Sequence, residues 1–206
     1  MIVSSTCPEI ISVFIHAEGE FAMRDVAHDA EAGVVRSLAG QRYSHVLLVT
    51  GARTWDDEAC MRTSFRDVWQ VWGPLNVTSP LLVSGHCPAD SDGRGADAMA
   101  EMLWRAEGFD ILPVPAQWKA YGKQAGFVRN QQMVDLVAGL SMQESIVVCA
   151  AFHDLCRKPG CRQRGDEQLM PRFPGHFSHG TAHCRGQAIR AAIETVDVIH
   201  PSLLPI

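Results

Sequence analysis

No stretch of the sequence approaches the roughly 18 consecutive apolar residues of a membrane-spanning helix. That argues against a helical membrane protein. Nothing at the start couples a basic segment to an apolar run, so no secretory leader is expected. Basic excess is missing as well: 18 Lys and Arg stand against 23 Asp and Glu, a net charge of −5. Proteins that depend on the phosphate backbone usually carry the opposite sign, which argues against nucleic acid as the partner. The seven cysteines are odd in number and contain no C-x-x-C pair, so their pattern is unlike a disulfide framework. Reduced thiols in a cytoplasm are the expectation. Neither a Walker run nor a G-x-G-x-x-G fingerprint occurs.

What the chain does have is a core and a rhythm. Its 206 residues are 47% hydrophobic and 20% charged, enough for one ordinary globular domain. Residues 1–44 read as an N-terminal extension of unknown role, with a candidate strand at 10–15 and a candidate helix at 22–38. From His45 to the end, strands and helices alternate. Val46–Thr50 is a short apolar run closed by Gly51, the mark of a strand covered on both faces. Thr54-x-x-Asp57 looks like a capping box before a helix carrying Met61, Phe65, Val68, Trp69 and Trp72. Leu81–Val83 is a second strand, and Ala96 to Glu107 a second helix. Ile111–Val114 is a third strand, placed at an edge because Pro113 lacks a ladder donor. A helix near Asn130–Ala138 precedes the strongest strand, Ser145–Ala151. A helix at Thr181–Ile193 and a strand at Val196–Ile199 close the series. This order predicts an α/β, Rossmann-like, doubly wound and mainly parallel sheet with helices on both faces.

In such sheets ligands lie beyond the carboxyl ends of the strands, where helix N-termini offer unpaired N–H groups to phosphate. The glycine and polar clusters fall in those loops: Gly51-Ala52-Arg53, then Ser84-Gly85 through Gly93-Arg94-Gly95-Ala96-Asp97, then Pro174-Gly175 through Ser178-His179-Gly180-Thr181. Singly each reads as a tight turn. Together they predict a phosphate cradle in which Arg53, Arg94 and Arg129 converge with Gly51, Gly95, Gly180 and Thr181.

These blocks, with Trp118-x-x-Tyr121-Gly122-Lys123-x-Ala125-Gly126-x-x-Arg129-Asn130-x-x-Met133 as the most specific, resemble the YspA/YpsA-related branch of the SLOG superfamily from His45 to Ile199. Members are common in bacteria and their phages. The resemblance implies a Rossmann-like fold that binds a nucleotide or nucleotide-derived ligand, and it implies a homodimer. No cofactor is implied. Better-understood relatives are the LOG phosphoribohydrolases and DprA. Two departures matter. The loop between Gly85 and Gly93 carries an insertion, and no acid follows the Gly180-Thr181 turn, where Ala182-His183-Cys184 stands in place of the LOG glutamate. A sensor or carrier is therefore expected, with a nucleotide hydrolase or transferase using Asp97 or Glu101 as the alternative.

Each residue has a plain reading beside the functional one. Arg129 clamps a phosphate or lies on the surface; Asn130 reads a base or ribose or caps a helix. Trp118 and Tyr121 wall a base slot or anchor a loop in the core. Asp97 meets a ribose hydroxyl or simply favours a helix N-terminus. Trp69 and Trp72 are expected to leave an apolar patch for self-association. Cys156-x4-Cys161 followed by His176, His179, His183 and Cys184 is irregular for zinc, so no metal is expected and a mobile loop is the default. The basic run Arg157–Arg164 reads as a lid over an anion.

Overall fold

The structure, a computed structural model, describes residues 42–158, 161 and 176–204. The strand and helix expected at 10–15 and 22–38, the Pro174-Gly175 turn and the end of the basic run at 162–164 lie outside them. Five strands form one sheet: β1 (His45–Gly51), β2 (Pro80–Ser84), β3 (Asp110–Pro113), β4 (Ile146–His153) and β5 (Glu194–Ile199). Their order is β3-β2-β1-β4-β5, and every pairing is parallel. His45 faces Pro80 on one side and Ile146 on the other, so β1 is the centre.

Alternation along β1 divides the core. Leu47 and Val49 point to the face covered by α1 (Glu58–Trp72) and α2 (Ala96–Ala106), where they meet Met61, Val68, Ala100 and Leu103. Val46 and Leu48 point to the face covered by α4 (Ala125–Ser141) and α5 (His179–Arg190), against Met133, Val137 and Ala188. Both faces are dry, which is why the central strands read as unbroken apolar runs. Proline at the end of β3 is tolerated because β3 is an edge. A one-turn helix, α3 (Trp118–Tyr121), leads into α4. Among the described residues no helix is long and apolar enough to cross a membrane.

Several boundaries differ from the sequence expectation. The cap of α1 is Asp57 itself, whose carboxylate accepts from Cys60 N at 2.7 Å. Thr54 instead donates to Asp154, one hundred residues away in sequence. Helix α4 starts at Ala125, five residues before Asn130, and carries the poor helix former Gly126 inside its first turn. Trp69 and Trp72 leave no patch: Trp72 is 4% exposed, and Trp69 stacks on Phe109 at 5.2 Å. The aromatic end of α1 is spent on the core.

Candidate functional site

Strand β1 runs on into α1 on one face, while neighbouring β4 leads to α5 on the other. The loops diverge there, which makes the carboxyl edge between β1 and β4 the switch point of the sheet. The Thr54–Asp154 hydrogen bond ties the two departing loops together, and Ala52 N donates to Phe152 O at 3.0 Å.

The glycines at this edge divide by what they do. At Gly51 a Cβ would overlap the Cβ of Ala96 and come within 2.9 Å of that of Phe152, so glycine lets α2 approach the strand end. Gly95 has φ +138°, and its N–H donates to Trp55 O at 2.8 Å. Ala96 N donates to Ala52 O at 3.1 Å. Those two amides at the start of α2 serve protein carbonyls, so the cradle expected from Gly51 and Gly95 is corrected to a packing device.

Gly85 is different. The Arg129 guanidinium crosses it, with Nη1 donating to Gly85 O, and any Cβ there would collide with the side chain. The same Nη1 lies 3.5 Å from Asp97 Oδ2, and Nε donates to Asn130 Oδ1 at 3.0 Å. Asp97 is buried and accepts from Cys87 N at 3.2 Å. Burial pushes its carboxyl up from the ordinary range, and the Arg129 charge opposes that without cancelling it. Burial likewise pushes the Cys87 thiol up, against the pull of the nearby Arg53. Arg53 is exposed and interacts with both Cys87 and Asp97. Thus Arg129 and Asp97 meet over Gly85, with Arg53 acting on Asp97 and Cys87 beside them. Arg94 does not join them. Asp90 and Asp92, which the insertion supplies, hold it at 2.9 and 2.8 Å, so the three-arginine convergence is corrected to two.

Asn130 caps no helix. It sits in the second turn of α4, 1% exposed, and its Nδ2 donates to Gly180 O at 2.9 Å, joining α4 to the start of α5. Gly180 is exposed, with open space where a Cβ would stand. Beside it the Thr181 hydroxyl is buried and has no partner among the described residues. Ser178 is the N-cap of α5, with its N–H donating to Asp154 O at 3.0 Å and no capping bond from its side chain. Trp118 is 55% exposed, so the core reading of that ring fails. Just after the Gly180-Thr181 turn, His183 packs on Phe127 at 4.7 Å, and burial pushes the Cys184 thiol up to about 12.

One group escaped the sequence reading, and another was set aside by it. The buried Asp197 accepts from Arg185 Nε and Nη2 at 2.6 and 2.7 Å, and pairs with His153 Nε2 at 2.8 Å. Burial would raise its carboxyl, but these partners win and hold it below the ordinary range. Nothing in the spacing of residues 153, 185 and 197 announces the contact. Secondly, Cys156, Cys161, His176 and His179, expected to be an ordinary loop, bring one ligand atom each within 4.8 Å of all the others. Among the described residues, those four are placed to hold a metal.

Comparison with known proteins adds one relative. The chain is similar to the Gene 61 protein of Mycobacterium phage D29, 32% identical over 157 residues, which cover 73% of this chain and 94% of that protein. No family model matches the chain. No solved structure matches it either.

Proposed function

The chain belongs to the family of the Gene 61 protein of Mycobacterium phage D29, and we propose that it binds a nucleotide or nucleotide-derived ligand through its phosphates. The observation that carries this reading is the Thr181 hydroxyl, buried and without a partner among the described residues. It lies in the first turn of a helix, beside exposed Gly180, at the edge where Arg53 and Arg129 gather. A buried hydroxyl without a hydrogen bond is costly, and a phosphate oxygen is the complementary acceptor at a helix N-terminus. The resemblance to the SLOG branch supports a nucleotide over a bare anion.

Binding without turnover is the preferred form of the proposal. Of the carboxylates available to a hydrolase, Asp97 is paired with Arg129. Glu101 accepts from the Ser84 hydroxyl and contacts His86 Nδ1 at 3.0 Å. Neither is presented to a sugar cation, which needs a carboxylate facing it.

Native mass spectrometry of freshly purified protein should show a co-purifying nucleotide-sized mass. Calorimetry with a panel of nucleoside mono-, di- and triphosphates should then give binding that weakens about tenfold in Arg53→Ala, the scale of a charge-assisted hydrogen bond. Unchanged affinity in that variant would remove the site from this edge. Release of free base from any nucleotide, lost in Glu101→Gln, would replace carrier with enzyme.

A further inference from the structure

We propose that Cys156, Cys161, His176 and His179 form a Cys2His2 site for a structural zinc ion that fastens the β4–α5 connection to the first turn of α5. The site is separate from the ligand edge in chemistry, and it stands or falls independently of the nucleotide reading.

The backbone builds it. Immediately after β4 the chain pairs with the segment that leads into α5: Leu155 and Phe177 form an antiparallel bridge, and Cys156 N donates to His176 O at 2.8 Å. Ser178 N donates to Asp154 O at 3.0 Å on the other side of the bridge. This short ladder sets Cys156 beside His176. Phe177, 5% exposed and 4.9 Å from the His153 ring, anchors it to the core. His179 follows as the first residue of α5. Cys161 N donates to Lys158 O at 3.2 Å, and the second thiol lies close to the other three ligands. Four ligands thus arrive from two chain segments held in register.

The donor atoms then fit a metal better than they fit one another. Cys161 Sγ lies 3.3 Å from His176 Nε2 and 3.0 Å from His179 Nε2, and the two Nε2 atoms are 2.9 Å apart. With Zn–S near 2.3 Å and Zn–N near 2.0–2.1 Å, the edges of a tetrahedron are about 3.3–3.8 Å. The separations of 2.9, 3.0 and 3.3 Å lie at or slightly below those edges, and no pair of ligand atoms is more than 4.8 Å apart. As hydrogen bonds alone the arrangement is poor: with the thiol donating to one imidazole and accepting from the other, the short contact between the two Nε2 atoms has no proton of its own. A cation at the centre satisfies all of them. Two thiolates and two imidazoles select zinc over magnesium or calcium. Two thiolates also neutralise the ion. With all four positions taken by protein there is no place for a reactive water, so the role is structural.

Spacing alone does not announce the site: Cys-x4-Cys lies at the long end of the usual range, but His-x2-His is shorter than the usual about three to five. The ladder, and not the spacing, makes them converge. Binding would release the two thiol protons, so retention should weaken on acidification.

The test uses the full chain, produced with zinc in the medium and dialysed against zinc-free buffer. Metal analysis should find one zinc per chain, and cobalt(II) added to chelator-stripped protein should give the visible absorption of a tetrahedral thiolate site. A Cys156→Ser/Cys161→Ser double variant should retain at least tenfold less zinc. Since that variant could fail to fold, the zinc content and cobalt spectrum of the unaltered chain decide the matter. Less than half an equivalent of zinc together with no tetrahedral cobalt band overturns the proposal. So does full zinc retention in a folded double variant.

Discussion

Arg129 holds a buried carboxylate and faces the ligand edge at once, so its removal has two readable effects. Its side chain is 16% exposed and that of Asp97 is 7% exposed. Arg129→Ala should therefore cost about 3 kcal/mol in a denaturant titration at pH 7, because it strands a buried charge. Adding Asp97→Asn should recover much of that, and strict additivity of the two losses would contradict the pairing. The pH dependence follows from Asp97 being raised above its ordinary value. The folded state then binds more protons than the unfolded one, so stability falls as pH rises through the raised value. Without Arg129 that window extends upward, and the deficit of the variant should shrink on acidification. Asp197 has the opposite sign. Its pKa is depressed by His153 and Arg185 against the effect of burial, so its stabilisation is complete above the ordinary carboxylate value of about 3.9. Below that it is lost as pH falls through the lower folded value. Asp197→Asn should cost about 3 kcal/mol at neutral pH, with the gap to the unaltered chain closing only in strong acid. A gap that closes already near pH 6 would contradict this.

At the scale of elements, Asn130 adds a polar link to the packing of α4 against α5. Asn130→Ala strips Gly180 O of its donor and Arg129 Nε of its acceptor. It should cost about 1–3 kcal/mol and speed amide exchange in the first turn of α5. Exchange that quickens uniformly over the whole sheet would point to general destabilisation instead. The strands were legible because burial on both faces writes itself as Val46–Thr50 or Ile146–Ala151, and Pro113 marks an edge wherever it stands. Helix starts were less legible. Thr54 and Asp57 carry the same capping signal, and only the distant Asp154 decides between them. Of the site, the placement of Gly85, Asp97, Arg129 and Thr181 at one edge followed from strand order. The capture of Arg94 did not, because Asp90 and Asp92 belong to an insertion whose fold has no pattern to read. The Cys and His quartet was visible as residues and invisible as a cluster, since its convergence depends on pairing between segments about twenty residues apart.

For the whole molecule, the burial of the α1 tryptophans changes what an association experiment should show. Light scattering of the unaltered chain and of Trp69→Ala at tens of micromolar should give the same mass, since Trp69 packs against Phe109 and Trp104. A mass that halves only in the variant would return that residue to an interface. The central position of β1 has a further consequence, for the order in which the chain assembles. Its first partner, β2, follows within a short crossover, but its second, β4, begins about a hundred residues later. At a synthesis rate of about 5–20 residues per second, β1 waits some 5–20 s before that side is closed. During this interval one margin of Val46–Val49 is an unpaired apolar strand edge, the kind of surface that recruits other chains. Closing so large a loop also slows refolding. Yield at elevated expression temperature should therefore be limited by nascent chains that have not yet produced β4.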